Sequence, residues 1–490
     1  MISFCLRTRI TRSRERERVG HSHAPLAHAR GYIALFVFCA AGLIARAADL
    51  PALWAERVKA CVAVEFIVES EIDRRPGVSY GVVVDNNGTI ALPTGAIDAR
   101  VEPRQLKEFK VYMPDDPTAF SGEYLGQDGL TGWHFLRVEE KIRAKLTPIT
   151  AFVAKGPAPS PAMAEELWGI GLRTKDEDFM PYLMTSQVAL IQSLPQRTVI
   201  TQREIAGPGL PIFNREGIFV GLAIASFGQS YLQFSRAAHD GFPVLLVNVE
   251  ESSVFQTADE VVPYFGRIPK NVFGRPLAWL GAYGLDPMDR EVARYLKLET
   301  RSGAVVSEVL EGSPAEKAGL KSHDIILAID GKPLPRFRPD SVVVTFVERE
   351  IEKRNPGDPM TLTVLRGTET IDIKATLGDE PKLGREAERK YFDHFGFTAR
   401  EFVYGDAVLR RAGTTELVGV IANFVKPNSP AAAAGLRIDD WIKEIDGVEV
   451  KTFAAAVNKL AEIDRDTART EFVMLVSRVG ETAVLRVKLK

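Results

Sequence analysis

The stretch GSPAEKAGLKSHDIILAIDGKPL occupies residues 312–334, and NSPAAAAGLRIDDWIKEIDGVEV occupies residues 428–450. Eleven of the 23 aligned positions are identical, without a gap, at an offset of 116 residues. Solenoid repeats run about 20–50 residues, so a period this long marks two tandem domains. Each copy has the same local logic. Ser313-Pro314 and Ser429-Pro430 place a capping hydroxyl and a proline at the start of a short helix, and Gly319 and Gly435 end it. A short apolar strand follows (325–329 and 441–445), and Asp330-Gly331 and Asp446-Gly447 are turn signals. Helical patterns come next, over about 340–354 and 452–463, and strands at 360–365, 472–476 and 484–489 close the units.

A chain of 490 residues exceeds a single core, so two to four domains are expected. Its ends differ in charge. Residues 1–47 hold eight arginines and two glutamates, a net of +6, while the rest carries −8. That balance is no footprint for nucleic acid, and none is expected as a partner. Residues 1–47 read as a signal peptide. Arginines from Arg7 to Arg30 precede a thirteen-residue apolar run (32–44), then Ala45-Arg46-Ala47, with cleavage expected between Ala47 and Ala48. The location implied is periplasmic or secreted; an uncleaved N-terminal membrane anchor is the alternative. Cys5 and Cys39 fall in the removed segment, so Cys61 is left without a disulfide partner. After residue 47 the histidines are His134, His239, His323 and His394, in no ligand spacing, so neither a metal nor another cofactor is expected.

Residues 48–265 alternate short apolar runs with Gly, Pro, Asn and Asp turns, as in Gly81-Val82-Val83-Val84 before Asp85-Asn86-Asn87-Gly88. Such a pattern suits a sandwich or barrel. Within it, EIAGPGLPIFNREGIFVGLA (204–223) resembles the nucleophile loop and following strand of the HtrA/DegP family, G-N-S-G-G-P-L-F-N. Pro211-Ile212-Phe213-Asn214 match its end, and the serine position holds Pro208. The family's histidine segment, G-Y-I-L-T-N-N-H-V-V, matches residues 88–97, with Gly95 in the base position. Its aspartate segment matches residues 126–138, with Gly132 in the orienting position. The repeated C-terminal units resemble the PDZ domains that follow these proteases. The resemblance rests on S-P-A-x-x-A-G-L, D-x-I-x-x-I-D-G and a preceding Φ-G-Φ, which is Leu280-Gly281-Ala282 in one copy and Phe395-Gly396-Phe397 in the other.

The resemblance implies a mainly β chain: a trypsin-like double β-barrel at 48–265, then two α+β PDZ domains at 275–380 and 385–490. Residues 265–276 and 378–389 read as linkers. Glycine offers no side chain, and proline offers neither a hydroxyl nor the backbone N–H that the nucleophile residue gives to the oxyanion hole. The implied protein is therefore an exported HtrA-like pseudoprotease. It would bind C-termini or unfolded segments of envelope proteins as a scaffold, regulator or holdase, by strand addition with the Φ-G-Φ loop receiving the carboxylate. Phe453, Val457 and Leu460 are candidates for the opposite wall in the second unit. That unit is expected to be the better binder, because large apolar residues flank its glycine. The alternatives are an active envelope peptidase with a non-standard site around His134, with Asp128, Ser226 or Ser230 as partners, and a groove filled by the protein's own chain. A homotrimer, or assembly with an active homologous protease, is what the resemblance implies for partners.

Overall fold

The structure is a computed structural model describing residues 49–490, apart from 99–100, 158, 228–229, 235–242, 248–251, 275–276, 413–416, 479–480 and 490. The signal-peptide reading of 1–47, His239 and the side chains of Ser226 and Ser230 lie outside the described residues. Among the described residues no helix is long and apolar enough to cross a membrane.

Six antiparallel strands close a first barrel: Cys61–Glu69, Arg74–Val83, Thr89–Leu92, Leu106–Tyr112, Phe120–Gln127 and His134–Val138. Six more close a second: Glu166–Leu172, Pro181–Gln192, Thr198–Thr201, Pro211–Phe213, Phe219–Phe227 and Ser252–Thr257. In both, closure leaves no open edge, the usual solution for an all-antiparallel sheet. The turn at Asp85 shows how the sequence sets a corner. Its carboxylate accepts the N–H groups of Asn87 and Thr89, each at 2.9 Å, and Gly88 takes φ +73°. One face of the first barrel packs inward on Val62, Val64, Ile90, Val111 and Leu136. Its other buried residues, including Tyr112, Trp133 and Phe135, join Phe179, Trp168, Phe213, Phe219 and Phe255 in a core shared by both barrels. That shared core holds the facing loops of the two barrels in register.

Each repeat folds as the spacing predicts. Ser313 accepts the N–H of Glu316 at 3.1 Å, and Ser429 that of Ala432 at 3.2 Å, capping helices Pro314–Lys317 and Pro430–Ala433. The repeated aspartates before each strand are buried and bidentate to arginine. Asp324 meets Arg366 at 2.7 and 2.8 Å, and Asp440 meets Arg478 at 2.6 and 2.8 Å. The long helices are Val342–Glu352 and Phe453–Arg465. The segment read as the second linker is partly structured: Gly378–Asp379 pairs with Ala278–Trp279 in the first unit, and Arg389 begins a strand of the second.

Candidate functional site

The neighbours of the three positions read as triad-equivalent line one cavity. A cavity of about 80 Å³ opens between the barrels, lined by Pro93 and Thr94 next to Gly95, Thr131 next to Gly132, and Gly209 next to Pro208. Trp133, Leu222, Ile224 and Gln256 complete most of its wall, which contains no serine, histidine, cysteine or ionisable residue. Gly95 sits in the turn Thr94–Ala96 with open space around its missing Cβ. Gly132 has φ +70°, and a Cβ there would lie 2.7 Å from Thr94 Cγ2. Pro208 starts the turn into Gly209, whose φ of +82° and close approach to Pro93 and the Tyr80 carbonyl call for glycine.

The neighbouring backbone donors point elsewhere. Gly209 N–H donates to the Ala223 carbonyl at 2.8 Å, Leu210 N–H to Gly207 at 2.9 Å, and Gly207 N–H to Ile170 at 3.3 Å. Pro208 has no N–H to give. The loop is tied down by its own hydrogen bonds.

His134 does not line that cavity. Its ring is 4% exposed, and Nδ1 lies 2.9 Å from the Tyr124 hydroxyl. It faces a small pocket on the far side, with Ile97, Val101, Gln127, Val272 and Arg385. Burial, reinforced by the positive charge of Arg385, lowers its pKa from 6.5 to about 4. Trp133, its neighbour in sequence, lines the inter-barrel cavity instead. Asp128 is also structural. It is fully buried, accepts from Thr131 N–H and Oγ1 at 3.0 and 2.9 Å, and is paired to Arg267 Nε at 3.0 Å.

The two Φ-G-Φ loops share a backbone. Gly281 has φ +84° and Gly396 +77°, and a Cβ at either would overlap the capping Ser313 or Ser429. The carbonyls of Leu280 and Phe395 accept from Ala315 and Ala431 at 2.8 and 3.0 Å, which ties each loop to the short helix. Leu280, Phe395 and Phe397 are core residues, and only Ala282 is partly exposed.

Beyond the loops the copies diverge. In the first unit, strand Ala282–Pro287 pairs with Ala304–Val309 on one side and lies at the edge of its sheet, beside helix Val342–Glu352. In the second, the corresponding strand Phe397–Glu401 has its outer edge covered by Arg389–Phe392, antiparallel, with Phe392 opposite Phe397. A C-terminal ligand would run in that direction. The Phe392 carbonyl accepts Gly396 N–H at 2.7 Å, in the place of a ligand carboxylate, and the Phe392 ring is 3% exposed beside Phe395 and Phe397. Among the described residues Gly281 N–H has no such partner. Phe453 and Val457, expected as groove wall, pack half-buried on the core that includes Phe392, and Leu460 is wholly core. His394 Nδ1, 3.3 Å from Asp464, fastens the turn to the helix Phe453–Arg465. The chain's own segment Arg389–Phe392 thus occupies the outer edge of the second unit's groove strand.

The PDZ domain family matches residues 288–377, and a second PDZ family matches 423–472. Among curated proteins, the periplasmic pH-dependent serine endoprotease DegQ of Escherichia coli is 30% identical over 210 residues, 43% of this chain and 41% of DegQ. A probable periplasmic DegP-like serine endoprotease of Chlamydia pneumoniae is 26% identical over 273 residues, 55% of this chain and 49% of that protein. The chain is HtrA-like, with two PDZ domains. It spans about half the length, or less, of these curated relatives. Among solved structures, the HtrA-type protease AlgW with decapeptide covers 68% of this chain and 98% of its own, at 14% identity and TM-score 0.45. A serine endoprotease from Yersinia pestis gives 17% identity and TM-score 0.44 over 68% of this chain and 98% of its own. The strand Arg389–Phe392 was missed: only Arg389 falls in the segment read as a linker, and the other three residues lie at the start of what reads as the second PDZ unit.

Proposed function

We propose that this chain is an exported HtrA-like pseudoprotease that binds the C-termini or unfolded segments of envelope proteins through its first PDZ unit. The observation that carries the reading is the inter-barrel cavity beside Gly95, Gly132 and Pro208, whose described lining offers neither a nucleophile nor a base. Hydrolysis of an amide needs those groups together. The uncovered edge of Ala282–Pro287, with Gly281 N–H at its start, supports binding by strand addition. The periplasmic names of DegP and DegQ relatives support export. The peptidase reading around His134 gains no support, since a tyrosine hydroxyl is its neighbour and its ring is buried.

The test uses the purified full chain. Casein digestion and labelling by a fluorophosphonate are both expected to be absent. A labelled hydrophobic C-terminal peptide is expected to bind, and to lose about tenfold or more in affinity when amidated, a difference of about 1.4 kcal/mol. Turnover that disappears in His134→Ala would overturn the first half. Equal affinity for acid and amide would overturn the second.

A further inference from the structure

The open groove of the first PDZ unit ends in a cluster of arginines. A cavity of about 160 Å³ lies where Pro287 ends the groove strand, lined by Arg290, Arg294, Arg301, Arg336, Asp340 and Val343, with Glu299 at its rim. It therefore joins the strand end, the helix Arg290–Tyr295, the loop after it and the first turn of helix Val342–Glu352. Four guanidinium groups face two carboxylates. One of these is already used: Asp340 is 2.9 Å from Arg290 Nε and 3.9 Å from Arg336 Nη2. Arg336 also donates to the carbonyls of Glu299 and Arg301 at 3.0 and 2.9 Å, which shapes the loop. Arg294 and Arg301 have no ion-pair partner among the described residues, and Glu299 alone opposes them.

We propose that this cavity reads a carboxylate side chain of the bound peptide, about four to six residues before its C-terminus. The inference rests on the first unit binding C-termini. A ligand antiparallel to Ala282–Pro287, with its last residue beside Gly281, advances about 3.3 Å per residue. Its chain comes level with Pro287, and so with the cavity, after about five residues. Side chains at alternate ligand positions face helix Val342–Glu352, whose first turn shares the cavity with Arg290 and Arg294 of helix Arg290–Tyr295 and with Arg301. Guanidinium groups suit planar, bidentate pairing with a carboxylate, and the start of an eleven-residue helix adds positive potential. The partner class is thus a protein with an acidic stretch just upstream of an apolar C-terminus.

The test is fluorescence anisotropy on the full chain with fluorescein-labelled decapeptides ending in Val-Phe. One carries Glu at the fourth to sixth residues before the end, a second carries Gln there, and a third is the Glu peptide amidated. The Glu peptide is expected to bind at least about fivefold more tightly than the Gln peptide at low salt. The preference should vanish in an Arg294→Gln/Arg301→Gln double variant that still distinguishes acid from amide. Because screening reaches about 8 Å at physiological ionic strength, it should also shrink as salt rises. If the free acid beats the amide but Glu and Gln peptides bind alike, this inference fails and the proposed function stands. If no peptide distinguishes acid from amide, the proposed function fails and takes this inference with it. A preference for Glu that survives the double variant places the acid elsewhere and overturns the inference.

Discussion

Placing a histidine, an aspartate and a serine at the three positions read as triad-equivalent is expected not to create proteolysis, and the geometry says why. Consider Gly95→His, Gly132→Asp and Pro208→Ser in one chain. The first has room, since no atom lies within 4 Å of the missing Cβ. The second does not. Gly132 holds φ +70°, where an L residue pays roughly 1–2 kcal/mol, and its Cβ would stand 2.7 Å from Thr94 Cγ2. Thr94 would have to move, and its hydroxyl now donates to the Thr131 carbonyl at 3.1 Å in the same loop. A histidine whose tautomer is not held by a carboxylate loses about 10⁴ in turnover. The third substitution creates an N–H at 208, but Gly207 and Gly209 on either side keep theirs on Ile170 and Ala223, which holds the loop in its present conformation; an oxyanion donor left out of place costs about 10²–10³ in rate. These losses are not strictly additive. Still, the triple variant should run about 10⁴-fold or more below an intact triad, under the detection limit of a casein assay. Initial rates on a fluorogenic peptide, together with fluorophosphonate labelling followed by mass spectrometry, make the measurement. Labelling of the new hydroxyl accompanied by casein turnover would refute the claim that the loop itself is collapsed.

Phe392→Ala should destabilise the second PDZ unit by about 3–5 kcal/mol, because a wholly buried ring is removed from a packed core; hydrogen exchange over residues 389–490 reads it, and unchanged protection would contradict the packing. Arg389→Met leaves the Glu102 carboxylate buried without its partner, at a cost of about 3–5 kcal/mol; a double variant with Glu102→Leu should recover much of that loss in denaturant titration. Gly281→Val should reduce the thermal stability of the first unit as well as peptide affinity, because its Cβ would overlap Ser313 in addition to crowding the ligand; a variant with normal stability and lost binding would restrict the glycine's role to the carboxylate. Acid should weaken the first barrel through His134. The folded imidazole resists protonation until about pH 4, whereas the unfolded one gains its proton near 6.5, so stability falls as pH drops across that window, by up to about 3 kcal/mol. His134→Gln should flatten the unfolding midpoint between pH 6.5 and 4, and parallel curves for the two proteins would refute the assignment.

Much of this was legible because it is local or periodic. The repeated Ser-Pro, Asp-x-Ile and Asp-Gly motifs each predict their own cap, strand or turn, and Asp330 and Asp446 indeed take φ of 48° and 52° before Gly331 and Gly447. The placing of Gly95 and Gly132 in turns beside strands was legible too, since each sits in a local motif. What escaped depends on distant segments. The pattern of Arg389–Phe392 is four residues long, too short to separate a strand from a loop, and the ion-pair partner of Arg389, Glu102, lies nearly three hundred positions away. The environment of His134 depends on Arg385 in the same way. The arginine cavity draws on a strand end, a loop and a helix start, so no single motif announces it.

The two PDZ units differ most in what comes just before their glycine loops. In the first, Ala278–Trp279 pairs away from the groove with Gly378–Asp379, and the strand after the loop keeps a free edge. In the second, the segment turns back through Asp393 and His394 onto the strand after the loop and fills the groove. That filled unit is also fastened to the first barrel. Thr398 donates to Glu71 at 2.8 Å, Arg389 pairs with Glu102, and Arg385 bonds Gln127 beside the strand that bears His134. A groove strand held by its own chain on one side and anchored to a barrel by buried charge is poorly placed to exchange ligands. Opening it would cost the pairing, the Phe392 burial and the Glu102 ion pair together. The same architecture can therefore divide its labour, one copy holding the barrel and the other left open to a peptide end.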